Sequence, residues 1–238
     1  MSRSILVATG TRREAAVLAN STGNRRHGAD HGRADLTNSP FTVIPGGGDA
    51  ARLRGQLSAA APGAIGILSF GFAGALADSL KIADWVVGSR LTGTVEAECD
   101  PHWSAALAAA IPGARTGTIY ADGRLISDMA EKRAIGARHS AIAVDMESHI
   151  AARVAAEHGR PFAIIRCISD EARHPLPPAI AVAMRPDGGV DGLAMLRSLV
   201  TEPGQVPQLI RTMRGFMQAM AALKQGGRLL CEQAAFQP

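Results

Sequence analysis

Residues 141–170 constrain what this chain can fold into more than any other stretch. They read AIAVD, then a segment from 146 to 158 with apolar residues at helical spacing, then PFAIIRCISD, apolar through most of its length. Strands apolar on both faces are strands covered by helices on both sides, so the pattern is a buried strand, a helix and a second buried strand. The same alternation recurs upstream. Residues 5–9 are a short apolar run ending at Gly10, after which Glu14, Ala15, Val17 and Leu18 suit a helix. Residues 41–44 lead through glycines 46–48 to a helix capped by Asp49 and running to Leu57, and 64–70 is again of the buried kind. A turn at 71–74, a short helical stretch, strands over 85–88 and 116–120 and a helix over 103–110 complete this part. The expectation is an α/β fold, a three-layer α/β/α sandwich around a central mixed sheet, formed as one domain over residues 1–238.

Two stretches break the alternation. Residues 20–40 are rich in Asn, Gly, His, Asp and Arg with almost no apolar periodicity, the composition of a flexible surface loop. Beyond Pro175 the chain runs through Pro177 and Pro178 to a segment around 182–189 expected to be loop or short strand, then to a helical extension over 190–230. In its second helix Val206, Leu209, Ile210, Met213, Phe216, Met217 and Met220 share one face, with Arg211, Arg214 and Gln218 largely elsewhere. Such a stripe reads as core or subunit contact, with a lipid-facing surface as the sharper alternative.

Composition excludes several classes. With 47% hydrophobic and 19% charged residues in 238 the chain is no disordered segment, and its net charge of +4 is too small to select an anionic partner. Cys99, Cys167 and Cys231 are odd in number and match no zinc spacing, which suits a reducing cytoplasm. No run of about 18 apolar residues offers a membrane span, and residues 1–9 are too short for a secretory signal. GGGDAA at 46–51 approaches a dinucleotide fingerprint, yet the next strand ends without the required acid; no phosphate-loop, HExxH or GxSxG motif is present. No cofactor and no metal is expected.

In open α/β sheets the site lies beyond the carboxyl ends of the strands. Glu14, Glu147 and Asp170 meet that test. Each has a structural explanation as well: a solvated first-turn carboxylate for Glu14, a helix-dipole partner for Glu147, a cap formed by Ser169 and Asp170.

The ordered segments resemble the nucleoside phosphorylase and nucleosidase superfamily over most of residues 4–174. SILVATGTRREAAVL is similar to the first strand and helix of methylthioadenosine/S-adenosylhomocysteine nucleosidases, SFGFAGALADSLKIADWVVGS to their glycine turn, and AIAVDMESHIAARVAAEHGRPFAIIRCISD to the block that holds the ribose and ends the last central strand. The resemblance implies that Glu14 activates water, Met146 and Glu147 bind the sugar, and Asp170, beside Ser169, serves the base as general acid. Gly71, Phe72, Leu125 and Ile126 fall on positions that line the nucleoside. GGGDAARL, AVDMESHIAARVA and the tail LPPAIAVAMRPDGGVDGLAMLRSLVTEPGQVPQLI further resemble the hopanoid-associated phosphorylases, whose proposed substrate is adenosylhopane, a triterpenoid joined to the ribose of adenosine.

Departures from the family pattern bear on the nucleophile. The phosphate-binding arginine and hydroxyl of the glycine turn are replaced by Ser69 and Phe72, which favours water over phosphate, with Arg12 or Arg13 as the alternative phosphate contact. The implied activity is release of adenine from adenosylhopane. A methylthioadenosine/S-adenosylhomocysteine nucleosidase, another purine nucleoside phosphorylase and a non-catalytic nucleoside-binding module are the alternatives. A homodimer, no nucleic-acid partner, and a cytoplasmic protein able to touch the inner membrane complete the expectation.

Overall fold

A computed structural model describes residues 4–21, 41–175, 177–183 and 191–232. Most of the loop expected over 20–40, and most of the segment expected over 182–189, lie outside the described residues.

Eight strands form one mixed sheet: β1 (Ser4–Thr9), β2 (Phe41–Pro45), β3 (Ala64–Ala75), β4 (Trp85–Gly93), β5 (Ala97–Glu98), β6 (Arg115–Ala121), β7 (Ala141–Asp145) and β8 (Phe162–Asp170). The helices are α1 (Arg12–Ser21), α2 (Ala50–Ala60), α3 (Pro101–Ala110), α4 (Met129–His139), α5 (Ser148–Glu157), α6 (Pro178–Ala183), α7 (Gly192–Thr201) and α8 (Val206–Glu232). The sandwich expected from the sequence is present. Leu53 and Leu57 of α2 pack with Ile150, Ala151 and Val154 of α5 on one face of the sheet. Val17 and Leu18 of α1, Trp103 and Leu107 of α3, and Ala219, Leu223 and Leu230 of α8 cover the other.

The sheet also closes on itself. β8 lies between β3, which it meets in parallel, and β4, which it meets antiparallel, while β3 reaches β4 a second time through β7 and β6. A five-strand ring results, and β1 and β2 extend from β3 outside it.

Several local expectations are corrected. There is no turn at 71–74: β3 continues to Ala75, because Gly71–Gly74 pair with β8 and Gly74 and Ala75 with β7. Residues 76–84 hold turns rather than a helical stretch, and residues 178–183 are helical, so that 182 and 183, at the start of the segment expected to be loop or short strand, end a helix. The sequence pattern does not announce α4, since its only buried residues are Lys132 and Ile135. The α8 stripe is not one buried face. Leu209, Ala219, Leu223 and Leu230 point inward together with Gly215, Gly226 and Gly227, while Val206, Ile210, Met213 and Met217 are exposed.

Candidate active site

Glu14 lies just beyond the carboxyl end of β1, and it is buried rather than solvated. Thr11 and Glu14 form a reciprocal capping box: the Glu14 N–H donates to Thr11 Oγ1 at 3.3 Å, and the Thr11 N–H donates to Glu14 Oε2 at 2.6 Å. That fixes one oxygen and turns the other toward β3, where the Phe72 N–H donates to Oε1 at 2.8 Å. Burial pushes the Glu14 carboxyl above its ordinary range, opposed by the Phe72 N–H and by the Arg166 charge.

Glu147 occupies the N-cap position of α5 without using its side chain as a cap. Asp145 performs that task, its Oδ1 accepting from the N–H groups of Glu147 at 2.9 Å and Ser148 at 2.8 Å. The Glu147 carboxylate is thereby left for other work and turns to the β1 terminus. A Cβ placed on Gly10 would stand 3.0 Å from both Glu147 oxygens and 3.1 Å from Glu14 Oε2, so both carboxyl groups converge on this one glycine. Burial pushes Glu147 up to about 8 against the pull of Arg166, and the negative charges of Asp145 and Glu14 add to the rise. The residue as a whole is half-buried.

The cation beside these acids is Arg166, fully buried in the middle of β8. Its Nη2 donates to Ser69 Oγ at 2.6 Å and Ser148 Oγ at 3.0 Å, and its Nε lies 3.0 Å from Asp145 Oδ2, at ion-pair distance but off the hydrogen-bond angle. A guanidinium without water needs such partners to be tolerable, and Asp145, Ser69 and Ser148 supply them.

Asp170 closes β8. Its Oδ2 accepts from the fully buried Nζ of Lys132, and its Oδ1 accepts from the Ser169 hydroxyl at 2.9 Å, so neither Ser169 nor Asp170 caps a helix. A Cβ on Gly74 would stand 3.0 Å from Asp170 Oδ2, and one on Gly71 2.5 Å from Glu14 Oε1. Glu14 and Asp170 thus lie against glycines three residues apart on β3, about 10 Å at the usual strand rise.

The remaining sequence candidates are distributed unevenly. Gly71 lies between Glu14 and Arg166, while the Phe72 side chain turns to α8, its ring 5.3 Å from that of Phe216. Met146, between Asp145 and Glu147 in the chain, is half-buried, and so is Leu125. Ile126 is buried in a small apolar cluster with Leu76, Ile135, Ala141 and Val144, a core position. Arg12 and Arg13 are exposed, and the arginine beside Glu14 is Arg166 instead. Among the described residues, cavities of about 520 and 370 Å³ open elsewhere, one by Cys99 and Ser104 and one by Met129 and Arg133. Neither is lined by the three acids; proximity and burial of charge mark the site better than concavity does.

Sequence reasoning missed Arg166, Asp145 and Lys132. A signal existed for the first: a charge inside an otherwise apolar buried strand must have a buried partner. Lys132 gave none, because a lysine on a charged helix reads as solvated.

Comparison with known proteins fits this geometry. Residues 4–179 match the model of a family described as the phosphorylase superfamily. No curated protein sequence matches. Among solved structures, a mutant MTAN of Helicobacter pylori with 5'-methylthioadenosine in its active site is similar with a TM-score of 0.62 at 18% identity, over 93% of this chain and 99% of that one. A putative 5'-methylthioadenosine/S-adenosylhomocysteine nucleosidase of Francisella philomiragia gives 0.65 at 13% identity, over 98% and 99%. Futalosine hydrolase of Helicobacter pylori gives 0.61 at 19% identity, over 85% and 99%. These are likenesses of fold.

Proposed function

We propose, from the premise that this chain belongs to the phosphorylase superfamily, that it breaks the N-glycosidic bond of an adenine nucleoside carrying a large apolar substituent, with adenosylhopane as the substrate and ribosylhopane and adenine as the products. The observation that carries the reading is the convergence of Glu14 and Glu147 on Gly10, with Glu14 also against Gly71 and Asp170 against Gly74 of β3, and the Arg166 charge acting on the first two.

Breaking such a bond develops positive charge on the ribose and negative charge on the departing purine, as in glycoside cleavage. Glu14, fixed by Thr11 and Phe72, orients a water at C1' and takes its proton. Glu147 accepts the ribose hydroxyls and, when ionised, stabilises the oxocarbenium-like sugar. Asp170 passes a proton to N7 of adenine, so that the purine leaves as a neutral base. Water is favoured over phosphate because the Arg166 guanidinium is already shared among Asp145, Ser69 and Ser148.

The apolar substituent is argued from α7 and α8. The Phe72 and Phe216 rings lead from the backbone that holds Glu14 toward the exposed Ile210, Met213 and Met217, and Leu193, Leu196 and Val200 of α7 are exposed as well. Each buried CH₂ of a triterpenoid would add about 0.8 kcal/mol there. Arg211 and Arg214 are exposed on the same helix and suit contact with an anionic membrane surface, where such a lipid would be met.

The fold likeness to methylthioadenosine/S-adenosylhomocysteine nucleosidases supports a second reading, turnover of those small thioethers. Incubation with adenosylhopane, with and without phosphate, separates the possibilities when adenine and the sugar product are identified. The proposal expects adenine and ribosylhopane in phosphate-free buffer. Adenine release that requires phosphate would overturn the choice of water, and a higher kcat/KM for methylthioadenosine would overturn the choice of lipid.

A further inference from the structure

We infer that Lys132 is a positioning residue for Asp170 and the store of the proton that Asp170 passes to the leaving base; the inference rests on the reading above.

Lys132 is one of two buried residues of α4, the other being Ile135 one turn along, and its side chain is fully buried. A lysine on the inward face of a helix forfeits hydration that leucine would never have needed, so its retention requires partners within reach. Nζ donates to Asp170 Oδ2 and, at 3.4 Å, to the carbonyl oxygen of Glu171. The second oxygen of Asp170 is taken by the Ser169 hydroxyl. Both oxygens of Asp170 thus accept, with a cation on one of them, and a neighbouring donor is at hand for the proton that a purine would take. The ammonium pressed against Asp170 can supply that proton.

The step balances as follows. An N–H bond of the Lys132 ammonium breaks as an O–H bond forms on Asp170 Oδ2. That O–H then breaks as N7–H forms on adenine, and the electron pair of the C1'–N9 bond departs with the base. Water adds to C1' and gives its proton to Glu14. Lys132 is left neutral and Glu14 protonated, Asp170 is again a carboxylate, and exchange with solvent restores Lys132 and Glu14 after the products leave.

The test compares wild type, Lys132→Met, Lys132→Arg and Lys132→Met combined with Asp170→Asn, measuring adenine release from adenosylhopane across pH. Lys132→Met is expected to lower kcat by about 10²- to 10⁴-fold, the usual worth of a general acid, with KM changed less than about threefold. Added to Asp170→Asn it should cost nothing further, since both act on one proton. Arginine keeps the ion pair but does not give up its proton, so Lys132→Arg is expected to remain at least about tenfold below wild type. It also carries the test if Lys132→Met does not fold. A Lys132→Met rate near wild type, full additivity with Asp170→Asn, or full rescue by arginine would overturn the inference while leaving the proposed reaction standing. A wild type that releases no adenine would overturn both.

Discussion

At the scale of single residues, the proposed activity depends on carboxyl groups denied their usual surroundings. Gly71 lies at φ +150°, and a Cβ there would stand 2.5 Å from Glu14 Oε1 and 2.9 Å from Arg166 Nη1. Gly71→Ala is therefore expected to displace Glu14, lowering kcat about 10²-fold and stability by about 1–3 kcal/mol; steady-state kinetics and denaturant unfolding measure the two effects. Glu147 gives a pH dependence with a defined sign. Its carboxyl is pushed up to about 8 in the folded chain from 4.5, so between these values the folded state holds the proton and the unfolded state does not. The stability this contributes is complete below about 4.5 and disappears as pH rises through about 8, a change on the order of a few kcal/mol. Unfolding measured from about pH 5 to about pH 9 should show that decline, and Glu147→Gln should flatten it. Glu14, Glu147 and Asp170 were legible in the sequence because each follows a strand. Lys132 was not, because a pattern read by polarity assigns a helical charge to solvent, whereas Arg166 is marked by its place inside an otherwise apolar strand.

Elements were legible where their period was clean and obscure where tertiary pairing overrode local chemistry. Gly71–Gly74 read as a turn because glycines punctuate chains, yet pairing of β3 with both β8 and β7 carries the strand through them. The close approach of Glu14 and Arg166 needs that glycine backbone, so the misreading and the site have one cause. α8 repeats the lesson. Its methionines and isoleucine stand out as a core stripe, while the docking face uses glycine and alanine, which barely register in an apolar pattern. A Cβ on Gly226 would stand 2.1 Å from Cζ2 of the buried Trp85, whose ring packs against Phe70. Gly226→Ala is thus expected to destabilise by about 1–3 kcal/mol. Gly55 of α2 has open space around it, so Gly55→Ala should stabilise by about 0.5–1 kcal/mol, the ordinary helix preference. Calorimetric midpoints of the two variants should move in opposite directions.

Over the whole molecule, the closed ring of β3, β7, β6, β4 and β8 brings the site together. β3 borders β1, β7 and β8, so the acids that follow β1, β7 and β8 all arrive beside one strand although they are far apart in the chain. The strand-helix alternation foretold the layers, but ring closure depends on β8 entering between β3 and β4, a long-range choice that no local period encodes. Convergence of the three acids on one nucleoside is tested most directly by adenine release from adenosylhopane in phosphate-free buffer, by wild type and by Asp170→Asn, with binding of the nucleoside followed in parallel. Release by wild type is expected, with a fall of about 10²- to 10⁴-fold in the variant and binding retained; a folded wild type that releases no adenine, or an Asp170→Asn variant as fast as wild type, would refute the proposed chemistry.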